Sequence, residues 1–148
     1  MEVKNLLELN EVGFRLLNSN ATLPTRANPT DSGLDLYVSE DTTIHAWETK
    51  AISTGVAINL PYGFEAQVRP RSGKSLKTKL RVALGTIDHT YHKEIGIITD
   101  NNSNEDIVIK KGERLAQLVI APIVYPKPKE VYKIENESNR GAYGSTGE

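Results

Sequence analysis

Cysteine is absent from the 148 residues. That absence excludes disulfides, thiol nucleophiles and thiolate metal sites together, while leaving the redox environment open. The chain also lacks any apolar run approaching the ~20 residues a membrane span needs. Met1 to Asn10 alternates charge with Leu and carries no cleavable signal pattern, so the expectation is a soluble, cytoplasmic protein without a membrane partner. An excess of charge of one sign is missing as well. Lys and Arg total 18 against 19 Asp and Glu, a net charge of −1, which provides no general attraction to nucleic acid. Nucleic acid is therefore not an expected partner, and any anion site must be local. Internal repeats, low-complexity tracts and interdomain linkers are lacking too.

What remains is enough for one domain, with 38% apolar residues to build its core. Turn residues punctuate the chain at 18–20, 28–33, 41, 61–63, 100–104, 110–112 and 126–128, mostly too closely for helices. Between them, 34–38, 50–60, 64–69, 94–99, 106–109 and 114–124 are rich in β-branched and aromatic residues. Phe64, Ala66 and Val68 alternate with Glu65, Gln67 and Arg69, which predicts a strand with one buried face. A short helix is expected over 73–79, followed by strand-like 81–84, and a weaker one over 5–11. The fold class predicted is all-β, a jelly-roll-like barrel over 1–134. From 135 to 148 the chain is nearly free of apolar residues and carries Gly141, Gly144 and Gly147, so it reads as an appended arm.

Five segments could carry chemistry. Arg69, Arg71, Lys74, Lys77, Lys79 and Arg81 form a basic stretch containing no acid. Within it, Pro70-Arg71-Ser72-Gly73 follows the best strand. Pro stops the ladder, Gly admits a close ligand, and Arg and Ser supply donors suited to phosphate, although a solvated basic turn would look the same. Asp31-Ser32-Gly33-Leu34-Asp35-Leu36 turns Asp35 away from two leucines; alone it reads as a surface Asp. Gly85-Thr86-Ile87-Asp88 opens a hairpin-like stretch through Tyr91 to Gly96, and Asp88 is either a general base or a turn-capping Asp. Lys111-Gly112-Glu113-Arg114 feeds a strand in which Gln117 interrupts an apolar run and demands a polar partner. Arg140 to Gly147 joins a cation, an aromatic, three glycines and two hydroxyls. His89 and His92 are no zinc pair, because i, i+3 positions in a hairpin fall on opposite faces.

In this order and at these separations, the five segments resemble the five motifs of the trimeric dUTPase family, and the likeness covers about 21–148. The resemblance implies hydrolysis of dUTP to dUMP and pyrophosphate, which limits uracil in DNA and supplies dUMP for dTMP synthesis. It implies that Asp35 holds a water of Mg²⁺, an ion bound mainly by the substrate phosphates. Arg71, Ser72, Gly73 and Gln117 would hold phosphates. The backbone of Gly85, Thr86, Ile87 and Gly96 would read uracil, with Tyr91 flat against the deoxyribose. Asp88 would activate the water that attacks the α-phosphorus. In the arm, Tyr143 would stack on uracil beside Gly144, with Arg140, Ser145 and Thr146 at the γ-phosphate. Three chains would share each site of a homotrimer, the third motif coming from a second subunit and the fifth from a third.

Two departures accompany the likeness. Thr90-Tyr91-His92-Lys93 stands where many members read Asp-Tyr-Arg-Gly, and the interval from Arg140 to Tyr143 is shorter than usual, with Tyr in place of the commoner Phe. The competing readings are a dCTP deaminase of the same superfold, using Glu94 to activate water, and a dUTP-responsive regulatory binding protein. A purely structural jelly roll would leave the motifs unexplained.

Overall fold

The structure is a computed structural model that describes residues 9–135 together with Ser138 and Gly141. Its strands are β1 (Gly13–Leu16), β2 (Gly33–Tyr37), β3 (Thr42–Ile44), β4 (Thr49–Ser53), β5 (Val56–Asn59), β6 (Phe64–Pro70), β7 (Leu80–Val82), β8 (Gly85–Ile87), β9 (Gly96–Asn101), β10 (Ile107–Ile109) and β11 (Arg114–Pro122). The short helix α1 (Ser72–Lys77) follows β6. Among the described residues these strands form four antiparallel sheets, ordered β1-β5, β10-β3, β2-β11-β6-β8 and β4-β9-β7. The all-β, jelly-roll-like expectation is met, with small sheets packed about one core rather than a single closed barrel. No helix among the described residues is long and apolar enough to cross a membrane.

Burial explains why the strands lie where they do. Phe64, Ala66 and Val68 of β6 are buried while Glu65 and Gln67 are half-buried, the period-two pattern of a strand with one face in the core. β11 lies between β2 and β6, so Leu115, Ala116 and Leu118 are fully enclosed. Ile44, Ile52, Ile97 and Ile109 close the same core from the other sheets. Asn101 is buried with them; its amide donates to the carbonyls of Ile44, His45 and Glu105, which removes the cost of its burial.

The expected run 50–60 is two strands in different sheets, β4 beside β9 and β5 beside β1. The corner between them is Thr54-Gly55. The Thr54 hydroxyl donates to the Ile95 carbonyl at 2.6 Å, and Gly55 has φ +68°, where a Cβ would stand 2.8 Å from the Cβ of Ala21. Gly55→Ala is therefore expected to lower stability by about 1–2 kcal/mol from the backbone alone, before the contact with Ala21 adds to it. A thermal melt checks this, and an unchanged Tm would show that the corner relaxes freely.

Other boundaries shift by a residue or two, and β1 and β3 were not expected. The helix begins at Ser72 and ends at Lys77, inside the expected 73–79 except at its start. Of the weaker helix over 5–11, residues 9–11 are not helical and the remainder lies outside the described residues.

Candidate active site

Pro70, which lacks an N–H, ends β6, and the chain turns there into α1. Arg71 caps the helix with extended backbone (φ −100°, ψ 132°) and no side-chain cap, leaving its guanidinium free to reach sideways. The Arg71 Nε lies 3.2 Å from Asp35 Oδ1, and its Nη1 donates to the Arg114 carbonyl at 2.9 Å. Arg114 Nη1 is 3.7 Å from the other Asp35 oxygen. Asp35 points away from Leu34 and Leu36 as predicted, but it is not a surface Asp: its side chain is only 13% exposed beneath the two guanidinium groups. Two cations on one carboxylate leave positive charge in excess beside Ser72 and Gly73, which are both exposed. Nothing lies within 4 Å of where a Gly73 Cβ would stand, so the turn faces open space.

Gln117 finds its partner in this cluster. Asp35, Gln117 and Arg69 are in register across β2, β11 and β6, and the Gln117 amide donates to the Pro70 carbonyl at 2.9 Å. It therefore fixes the turn that carries Arg71. Gly33 makes room for it, since a Cβ there would be 2.9 Å from the Cβ of Gln117. Arg114 joins because the pairing of β11 with β2 slips between Arg114 and Ala116. That bulge adds one residue, so Arg114 and Gln117, three apart, reach the same face of the sheet. The run from Leu115 is almost wholly apolar, so the bulge cannot be read from its pattern, and Arg114 was not singled out as a site residue.

Lys74 of α1 pairs with Glu113 at 2.8 Å, tying the helix to the turn before β11. Burial alone would raise the Glu113 pKa, but hydrogen bonds from Lys74 and the Lys110 backbone N–H, and the two lysine charges, outweigh it and hold the carboxyl below its usual value. Part of the basic stretch is thus spent on the fold, which narrows the anion-attracting region toward Arg71.

A second group of expected residues converges elsewhere. Gly85, Thr86, Ile87, Tyr91 and Gly96 line one pocket of about 160 Å³, walled also by Val68, Ile95 and Ile98. Among the described residues β8 is the edge of its sheet, bonded only to β6. Across the pocket, the register of β9 with β7 begins at Val82↔Thr99, so Gly96 and Ile97 have a paired strand on the β4 side alone. The pocket is a gap between two strand edges. Val68, Ile95 and Ile98 escaped the sequence reading because each looks like ordinary core.

Beyond Ile87 the ladder to β6 stops, and the Tyr91 N–H donates to the Asp88 carbonyl at 3.0 Å, closing a turn. The Tyr91 hydroxyl donates to the Glu94 carbonyl at 2.7 Å, holding its half-exposed ring across the hairpin tip. The Glu94 carboxylate accepts from the Gly55 N–H at 2.8 Å and from the Ser53 hydroxyl. It is committed to bracing the hairpin, which opposes the deaminase reading. Asp88 is exposed, and its carboxylate engages no other group among the described residues.

Asp88 and the Arg71 turn of the same chain are far apart. Ile87 pairs with Ala66, which puts Asp88 level with Glu65, and the two line one cavity of about 220 Å³. Arg71 lies past the opposite end of β6, six residues further on, or about 20 Å at a strand's rise per residue. Arg140, Tyr143, Gly144, Ser145 and Thr146 lie outside the described residues. No group of three or more His, Asp or Glu that could hold a metal is present among those described.

Residues 19–147 match the family model for dUTPase. The deoxyuridine 5'-triphosphate nucleotidohydrolase of Hydrogenobaculum sp. is 44% identical over 135 residues, covering 88% of this chain and 94% of the relative. That of Rattus norvegicus is 38% identical over 90% of this chain and 66% of its own length. Among solved structures, a mutant dUTPase of Staphylococcus bacteriophage 80alpha with dUpNHpp superposes with a TM-score of 0.86 at 34% identity, covering 93% of this chain and 99% of the phage chain. A mutant dUTPase from phage phi11 of S. aureus, whose structure describes the coordination of a structural Mg(II) ion, gives 0.81 at 34% identity, covering 85% and 99%.

Proposed function

Because the chain belongs to the dUTPase family and hydrolyses dUTP to dUMP and pyrophosphate, we propose that the strand-edge pocket binds the deoxyuridine, Asp88 activates water, and the Arg71 turn of another subunit holds the phosphates. The observation that carries this is the convergence of Gly85, Thr86, Ile87, Tyr91 and Gly96 on one gap between two strand edges. Backbone N–H and C=O groups on an edge need partners. A flat base inserted in the gap supplies them, and a fixed order of donors and acceptors accepts the uracil edge but meets the reversed polarity of cytosine. The limited volume leaves no room for a thymine methyl, and the Tyr91 ring, packed beneath the deoxyribose, collides with a ribose 2′-hydroxyl.

Asp88 takes the proton of a water as its oxygen bonds to the α-phosphorus and the bond to the pyrophosphate oxygen breaks. Charge on the phosphate oxygens is met by Arg71, the Ser72 hydroxyl, the backbone at Gly73 and the second N–H of Gln117. In the arm, Tyr143 stacks on the base next to Gly144, while Arg140, Ser145 and Thr146 reach the γ-phosphate; an arm over 135–148 that closes on bound nucleotide excludes water from the reaction.

The donor set suits Mg²⁺ in one way. Both Asp35 oxygens already face guanidinium groups and no cage of carboxylates is present among the described residues, so the ion would arrive on the triphosphate, with Asp35 holding one of its waters. When bound it neutralises phosphate charge.

The separation of Asp88 from Arg71 along β6 supports assembly from several chains, since one chain cannot bring both to one phosphorus. A homotrimer with three shared sites satisfies this. The exposed Val124, Val131, Tyr132 and Ile134, which follow β11, are the apolar surface such an assembly would cover. The test of substrate choice is pyrophosphate release with dUTP, dCTP, dTTP and UTP supplied separately. Release from dUTP with little from the others is expected; equal use of UTP would remove the role given to Tyr91, and ammonia from dCTP would return the chemistry to Glu94.

A further inference from the structure

Asp88 is anchored from a direction that the hairpin's own hydrogen bonds do not supply. It lies just past the last ladder pair of β8, where among the described residues the carbonyl bond to Tyr91 alone restrains its backbone. The neighbouring residue, His89, is half-buried and packs into an aromatic cluster from two distant segments. Its ring meets Tyr62 edge-on, with centroids 5.3 Å apart at 89°, and lies 6.3 Å from Tyr125 at 58°. Tyr62 and Tyr125 are themselves 5.0 Å apart. Both tyrosines sit on fixed chain. Tyr62 belongs to the turn that starts β6, closed by the Phe64 N–H on the Pro61 carbonyl at 3.2 Å. The Tyr125 hydroxyl accepts from the Gly63 N–H at the same distance, and the Ile123 N–H binds the Gly63 carbonyl at 2.8 Å.

We propose that His89 is a positioning residue for dUTP hydrolysis: clamped between Tyr62 and Tyr125, its ring fixes the turn at Asp88 and so aims the Asp88 carboxylate. The proposal rests on the reading of Asp88 as the base. An edge-to-face ring pair is a directional contact, and His89 is the second residue of the turn closed between Asp88 and Tyr91, so holding its side chain restricts the peptide that joins it to Asp88. The Glu94 bonds brace the other limb of the same hairpin. Together they hold the tip from both sides without using the Asp88 side chain. Thr90, His92 and Lys93, by contrast, are exposed at the tip.

The role belongs to the ring rather than to its charge, and that decides the test. In the full-length assembly, His89→Ala should lower kcat for dUTP on the order of ten- to a hundredfold, the loss that follows from a displaced catalytic group. KM should change much less than kcat, because the Tyr91 ring that lines the nucleoside pocket is held separately by its bond to the Glu94 carbonyl, and the phosphate turn is remote. His89→Phe, which keeps an edge for Tyr62 and cannot carry a proton, should recover most of kcat. Tyr125→Leu removes the clamp from outside the hairpin and should reproduce the His89→Ala loss, so it carries the test if His89→Ala fails to assemble. A loss in kcat that His89→Phe does not restore, or normal kcat in both His89→Ala and Tyr125→Leu, overturns the proposal. Asp88→Asn is measured beside them: if it turns over normally the base assignment itself fails, whereas an inactive Asp88→Asn with fully active His89→Ala removes the clamp alone.

Discussion

Asp88→Asn is expected to lower kcat by about 10²–10⁴-fold, the range for loss of a general base, while dUTP affinity is nearly unchanged. The amide has the shape of the carboxylate but cannot accept the water's proton. The structure gives a reason for the geometry to survive the change. The Asp88 side chain is exposed and bonds no other group among the described residues, and the turn is closed through its backbone carbonyl. Nothing among the described residues depends on its charge. The measurement is single-turnover hydrolysis beside the affinity for dUpNHpp, the non-hydrolysed analogue. Normal kcat would exclude Asp88 as the base, and loss of analogue binding would make it a binding residue instead.

Arg71→Ala is expected to lower kcat/KM by about 10²–10³-fold, as removal of one donor at a developing oxyanion does elsewhere. Two effects combine under the proposed role. A guanidinium that would meet the phosphates is lost, and among the described residues Asp35 keeps the longer 3.7 Å contact to Arg114, so an undercompensated carboxylate would face the polyanion. Arg71→Lys should rescue little. Arg71 uses Nε toward Asp35 and Nη1 toward the Arg114 carbonyl at once, and an ammonium cannot span that fork. Steady-state kinetics of both variants check this; a lysine variant with native kcat/KM would reduce Arg71 to a point charge.

Part of the candidate site was legible in the sequence. The period of two in Phe64 to Arg69 located β6, and the punctuation of Pro70 and Gly73 located the turn that carries Arg71. Gly85 through Gly96 was readable as a hairpin because its turn residues and strand formers are local signals. What was not legible depends on register and on contacts between distant segments. Asp35 looks like a surface acid until Arg71 and Arg114 close over it, and Arg114 reaches it only through a bulge. The 50–60 run looks continuous because strand formers flank Thr54 and Gly55 on both sides, although the chain turns a corner there. Tyr62, His89 and Tyr125 are 27 and 36 residues apart in the chain and share no motif. Their meeting is a product of the fold.

The separation of Asp88 from Arg71 along β6 makes a site shared between chains the central claim, and mixing two dead variants tests it most directly. Arg71→Ala and Asp88→Asn chains, each nearly inactive alone, are unfolded, combined in equal amounts and reassembled. If each site takes its phosphate turn from one chain and its Asp88 from another, random assembly of a symmetric oligomer restores both intact residues to about a quarter of the sites. Recovery of activity near that fraction is the predicted result. Activity that stays at the level of the separate variants, in assemblies shown by a different affinity tag on each variant to be mixed, would contradict it.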